Sequence, residues 1–368
     1  MLKPLVQIVH LSDLHLAPIP TPAPVYRRKI GIQLTFRPAV KGTQGHDPKA
    51  LDALRSSVTA AVRADPGWTT WIIASGDLST WGDDQSIEDA LQFIRDLAVT
   101  LNVSWSAIYG NHDVWDGRFP AMAPAIDLNQ RRSRLRSNQF PSNWPLSPMP
   151  VGTGRKTPGV SSNHALIAQS QARKSSVHIF SLNTVVHDGL TNALALGHVG
   201  PDRYWEGAGL PSQLQAARIK YGTPADLRIV VTHHPVHDPG GRRLQMVLRN
   251  RSEVAKELRN HGPDPVLIIS GHNHQVFPEW GDLPDALPRG KQCPLPLMDD
   301  QLQLIGGTCL QMGGGLDGNQ SWQLLRLWDD LDSGRVILER IVYERVGSIG
   351  EFFRKEDEEG QDSETLTI

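Results

Sequence analysis

Seven side chains able to bind a divalent metal fall in five short clusters of this 368-residue chain. They are Asp13 and His15 in Asp13-Leu14-His15, Asp77 after Gly76, Asn111 after Gly110, His233 in Thr232-His233-His234-Pro235, and His272 and His274 in Gly271-His272-Asn273-His274. Carboxylate, amide oxygen and imidazole together suit borderline divalent ions of the Mn, Fe or Zn type. A hard Mg²⁺ or Ca²⁺ site seldom uses several histidines. Cys293 and Cys309 are the only cysteines, which excludes a disulfide framework and a cysteine-rich zinc module and fits a reducing compartment. A single histidine after a strand is more often a satisfied turn residue than a ligand. The elements that deliver all seven therefore decide the matter.

Each cluster follows a short apolar run rich in β-branched residues, the pattern of a buried strand. Leu5–Leu11 precedes Asp13, Thr70–Ala74 precedes Asp77, and Trp105–Tyr109 precedes Asn111. Val177–Leu182 runs into Asn183, Leu227–Val231 precedes His233, and Val266–Ser270 precedes His272. Between them, 47–63 and 84–101 carry apolar residues at helical spacing, and helices are expected at 210–221 and 244–261 as well. Strands alternating with helices indicate an α/β fold, in which ligands gather at the carboxyl ends of the strands. Toward the end, 301–310, 322–328 and 336–345 read as strands without helices between them, the last two joined by a turn at Asp332-Ser333-Gly334. Two sheets are expected, the later one more antiparallel.

In this order the clusters resemble the blocks of the calcineurin-like metallophosphoesterases: D-x-H, G-D, G-N-H-[DE], a lone His and G-H-x-H. They span residues 13–274. The resemblance implies a four-layer α/β/β/α sandwich, here one domain over 1–350 with a basic insertion at 117–176, and an acidic tail at 351–368 that frays in solvent. It also implies two metals. Asp13, His15, Asp77 and His274 would hold the first; Asp77, Asn111, His233 and His272 the second, with Asp77 bridging. Such a pair shares a hydroxide that attacks phosphorus in line with the leaving group. His112 would bind phosphate or protonate the leaving alkoxide. Asp113 reads as a cap of the following turn, with orientation of His112 as the alternative. His234 is open between substrate contact and packing. His10 reads as a core or edge residue, His178, His187, His198 and His261 as ordinary surface or strand residues, and His237 as a substrate-side candidate.

The second block, Gly76-Asp77-Leu78-Ser79-Thr80, lacks the Asp-Arg of the Ser/Thr protein phosphatases. The first block, with the Asp after Gly-Asn-His, is closer to the bacterial phosphodiesterases, including the cyclic-nucleotide type. The resemblance thus implies hydrolysis of a nucleotide or other small phosphodiester. A nuclease, a phosphomonoesterase and a catalytically silent scaffold are the alternatives. The insertion carries nine Arg and Lys against Asp127 alone, so it would attract anions, with Arg131 and Arg132 as phosphate contacts and nucleic acid as an open partner. The net charge of -2 is therefore an average over a basic insertion and an acidic tail. No apolar run spans a bilayer, and the N-terminal run is broken early by His10, Asp13 and His15, so the expectation is a cytoplasmic enzyme without a membrane partner. The oligomeric state has no signal in the sequence.

Overall fold

The computed structural model describes residues 1–17, 46–80, 82, 84–114, 164–171, 174–182, 184–185, 197–199, 227–237, 248–260, 266–274, 301–310, 319–346, 350–354 and 364–367. Loop 18–45, most of the insertion with Arg131 and Arg132, Asn183, the helix expected at 210–221, His187, His261 and Cys293 lie outside the described residues.

The first sheet is built around β1 (Leu2–Leu11), which pairs in parallel with β2 (Thr70–Ala74), itself parallel to β3 (Ser104–Ala107). On its other side β1 pairs antiparallel with β9 (Asn319–Asp330), which forms a hairpin with β10 (Arg335–Val346) through a turn where Gly334 adopts φ 68°. The second sheet runs β4 (His164–Ser170), β5 (Ser175–Ser181), β6 (Leu227–Val231), β7 (Val266–Ser270) and β8 (Gln301–Ile305), parallel from β5 onward with β4 antiparallel at its edge.

Both sheets are therefore mixed: the antiparallel pairing expected of a separate, later sheet joins the β1 sheet instead. The late strands divide between them: β8 completes the parallel sheet, and the β9–β10 hairpin joins β1. Strand β4 was not read from the sequence. The tail, expected to fray, carries β11 (Phe353–Arg354) and β12 (Glu364–Thr367), both paired to β10, whose free edge offers unpaired backbone groups.

Strand alternation divides the packing. Leu227, Ile229, Val231, Leu267 and Ile269 point into the large core with the first sheet, whereas Val230 and Ile268 point to the other face. There they meet Val254, Ala255 and Leu258 of helix α4 (Arg251–Asn260). The first sheet is covered by α1 (Pro48–Ala64) and α2 (Asp84–Leu101), whose Leu54, Val58, Ile87, Leu91 and Ile94 join the large core. Asp47 caps α1 by accepting from Lys49 N at 3.0 Å, with Pro48 at the first helical position, where a missing N–H costs nothing. Helix α2 ends where Asn102 takes φ 55°. Helix, sheet, sheet and helix make the expected four layers. Among the described residues no helix is long and apolar enough to cross a membrane.

Candidate metal centre

The carboxyl ends of β1, β2 and β3 from one sheet, and of β6 and β7 from the other, bring all seven candidate residues together. Backbone bonds lock the turns to one another: Asp13 N to Gly76 O at 3.1 Å, His15 N to Asp77 O at 2.9 Å, and Gly271 N to His233 O at 3.1 Å. Of the seven non-glycine residues with positive φ among the described residues, five are Asp13, His15, Asp77, His272 and His274. Such left-handed backbone is unfavourable for residues with a Cβ and collects at functional sites.

The glycines of the blocks have a steric cause. A Cβ on Gly76, whose φ is 107°, would lie 2.5 Å from His233 Nδ1 and 2.9 Å from Gly110 N. On Gly110 it would overlap the Asp77 carboxylate, and on Gly271 the Ser12 hydroxyl. Each glycine thus permits one turn to press against the next.

Two groups of ligand atoms result. In the first, the Nε2 atoms of His15 and His274 are 3.2 Å apart, and Asp13 Oδ1 lies 3.3 Å from His274 Nε2. In the second, His233 Nε2 lies 3.0 Å from Asn111 Oδ1 and 3.2 Å from His272 Nδ1. Asp77 Oδ2 faces both, 3.9 Å from His15 Nε2 and 3.4 Å from His233 Nε2. Its other oxygen accepts from His112 N at 2.8 Å. Asp13 Oδ1 and Asp77 Oδ2 are buried without a well-formed hydrogen bond. His233 Nδ1 lies 2.9 Å from Ser75 O, an acceptor, so Nδ1 carries the ring proton and Nε2 of the neutral ring offers a lone pair. Lone pairs converging from buried carboxylates, an amide and imidazoles repel one another unless a cation stands among them. The donor set therefore fits two divalent ions.

Burial would raise the acids, but the surrounding histidines together outweigh it: His274 and His233 lower Asp13 to about 2, and His233, His112 and His15 hold Asp77 well below the carboxylate range. Burial lowers His272 to about 3, with His233 adding to the effect. Burial lowers His233, but Asp77, then Asp13 and Ser75 O, raise it to about 9, so without a metal this ring is cationic and must give up its Nε2 proton before that nitrogen can bind an ion.

His112 is held by Nδ1 against Thr80 O at 2.8 Å, with its ring edge-on to His15 at 4.7 Å. The Asp113 carboxylate bonds to the start of its own turn and to the Asp77 turn, not to the His112 ring, which corrects the alternative that it orients His112. It reaches backward, accepting from Gly110 N (2.8 Å), Leu78 N (3.1 Å), Ser79 N (2.7 Å) and Ser79 Oγ (3.0 Å). Burial and then Asp77 push it up to about 7, against these donors, which favour the anion.

His234 is fully buried, its Nδ1 2.8 Å from Thr184 Oγ1 and its ring 4.3 Å from that of His272. His237 Nε2 lies 2.8 Å from Gln301 Oε1, at the foot of β8. His178 is buried on β5, and His198 forms an isolated bridge with Val185. His10 is in the core, between Ser75 Oγ (2.8 Å) and Gln323 Nε2 (2.6 Å).

The segment 306–310, expected to extend a strand, instead leaves β8 at Gly306 and returns to the site. Thr308 Oγ1 donates to Asp13 O at 2.8 Å, and Cys309 N donates to Ser12 O at 3.0 Å. Sequence reasoning missed these supports, together with Ser75 and Thr80, which act through backbone carbonyls. The one available signal was the Gly306-Gly307 pair, a breaker within the strand pattern.

A sequence model described as calcineurin-like phosphoesterase matches residues 6–276. No curated protein matches the chain. Among solved structures it is similar to a dimetal phosphatase from Danio rerio, at 12% identity and a TM-score of 0.44, over 96% of this chain and 99% of that one.

Proposed function

The chain belongs to the calcineurin-like phosphoesterase family, a metal-dependent group of phosphoester hydrolases, and on that premise we propose that it cleaves phosphodiesters, with a nucleotide or another small diester as substrate. The observation that carries the reading is Asp77 Oδ2, buried between two sets of converging donor atoms. Asp13, His15 and His274 with Asp77 are assigned to one ion, and Asn111, His233 and His272 with Asp77 to the other. When bound, the two ions would supply Lewis-acid activation of water and of the phosphoryl oxygens.

The chain's own residues do the rest. Ser75 O fixes the His233 tautomer, so that Nε2 faces the site. Asn111 offers an amide oxygen that needs no deprotonation. His112, with its Nδ1 proton on Thr80 O, has Nε2 as the nitrogen able to pass a proton to the departing alkoxide. A carbonyl rather than a carboxylate therefore orients this histidine, in keeping with the missing Asp-Arg after Gly76-Asp77. That departure from the protein-phosphatase pattern, with the bacterial character of the first block, supports the diester reading.

The test is hydrolysis of bis-p-nitrophenyl phosphate by metal-free protein resupplied with Mn²⁺, Fe²⁺ or Zn²⁺, compared with p-nitrophenyl phosphate. Turnover of the diester at the higher kcat/KM is expected. Absence of turnover with every metal would sink the enzyme, and a preference for the monoester would sink the diester assignment. Asn111→Ala and His272→Ala should each lose at least a hundredfold in rate; full retention refutes the ligand assignment.

A further inference from the structure

We infer that Asp113 is a positioning residue for the second metal, the link that sets Asn111 against the bridging Asp77. The inference rests on the two-metal reading above and adds a residue outside its ligand set.

Asn111 and Asp77 come from different strand ends, β3 and β2, and must meet within the span of one ion. The Gly76–Ser79 turn is fixed from the β1 side through Asp13 N to Gly76 O and His15 N to Asp77 O. Among the described residues, the turn at helix α3 (Asn111–Val114) makes no such backbone bond to β1. Apart from the strand pairing that ends at Ile108 N to Ala74 O, it is joined to the Asp77 turn and the Thr80 that follows by His112 N to Asp77 Oδ1, by His112 Nδ1 to Thr80 O and by the Asp113 carboxylate. Asp113 uses both oxygens. Oδ2 takes Gly110 N and Leu78 N, and Oδ1 takes Ser79 N and Ser79 Oγ.

One side chain thus satisfies an amide at the start of α3 and two amides just past Asp77. The backward reach to Gly110 N is the third-residue half of a capping box, here extended to a second loop. At 1% exposure, no water replaces these bonds if the carboxylate is removed.

The two metal positions depend on this link unequally. Asp13, His15 and His274 are carried by β1 and β7, which Asp113 does not touch. Asn111 follows Gly110 directly and belongs to the second group alone. Loss of the link should therefore loosen the second ion and spare the first.

The experiment is titration of metal-free protein with Mn²⁺ by calorimetry, with electron paramagnetic resonance reporting the spin-coupled pair. Asp113→Asn keeps shape but turns an NH₂ toward two N–H donors. It should bind its first Mn²⁺ within about threefold of the parent and its second at least about thirtyfold more weakly, with the coupled signal replaced by that of an isolated ion. Equal affinities for both ions, or equal weakening of both, would overturn the assignment. Should Asp113→Asn fail to fold, Ser79→Ala removes a single hydroxyl donor to the same carboxylate. Selective weakening of the second ion by about threefold or more is then expected, and an unchanged second ion overturns the inference. A parent that binds only one Mn²⁺ removes the two-metal reading and this assignment with it. A parent that binds two, with variants that bind two equally, removes this assignment alone.

Discussion

The Nδ1 atom of His233 lies 2.9 Å from the backbone carbonyl oxygen of Ser75, so a residue at the end of β2 sets which nitrogen of a residue at the end of β6 faces the site. The bond crosses from one sheet to the other. Any slip between the sheets would turn the ring or change its tautomer. The packed core that both sheets share, to which Ile72, Val231 and Leu267 all contribute, is therefore also the alignment device of the site.

Metal binding should accordingly be a folding term. A ligand that binds only the folded protein stabilises it by about 2.7 kcal/mol at a hundred times its dissociation constant. Mn²⁺ at that level should raise the unfolding midpoint of the parent by several degrees in scanning calorimetry, and His272→Ala should lose a large part of the shift. An unchanged shift in the variant would contradict its place among the ligands.

Gly110→Ala should abolish activity. The added methyl would overlap the Asp77 carboxylate and backbone, which cannot retreat without moving the group shared by both ion positions. We expect destabilisation of about 1–3 kcal/mol in urea titration, the usual cost of overpacking. Gly67→Ala is the control, since a Cβ there meets nothing within 4 Å. Comparable activity in the two variants would refute the close-approach reading of the Gly-Asn-His block.

The blocks were legible in the sequence because each is local: a run such as Leu227–Val231 ends and the ligand follows within two residues. The supports were not, because they act across the chain through groups that carry no residue identity. Ser75 and Thr80 act through carbonyl oxygens, and Asp113 binds three backbone amides. Thr308 reaches Asp13 across 295 positions. Strand β4 was obscured by its composition, with Ile167 the one buried large apolar side chain among its described residues and Leu166 left 51% exposed at an edge. The layer order was legible. The division of the late strands was not, since β8 and β9 follow each other in sequence and enter different sheets.

His112→Gln separates proton donation from ion binding. If Nε2 protonates the leaving oxygen, the loss should be about a hundredfold or more for a diester with an alkoxide leaving group. It should be much smaller for p-nitrophenolate, which departs as the anion. Rates for a matched pair of substrates at saturating Mn²⁺ measure this. The same loss for both leaving groups would show His112 acting on the phosphate alone.

His10 should set part of the acid limit of the fold. It is 1% exposed, and the Gln323 amide nitrogen at 2.6 Å from Nδ1 can only donate, so the ring is held neutral with its proton on Nε2 toward Ser75 Oγ. Burial lowers its pKa to about 3, from 6.5 in the unfolded chain, with Asp13 opposing. Between those values the unfolded chain binds the extra proton, so stability is complete above 6.5 and falls as pH drops toward 3, at up to about 1.4 kcal/mol per pH unit. His10→Gln removes this proton. Urea unfolding of metal-free protein at pH 7.5 and 4.5 should show the parent losing about 2–3 kcal/mol more than the variant, because the other buried histidines titrate alike in both. Parallel losses would mean that His10 takes up a proton in the folded state, against the donor that Gln323 places on it.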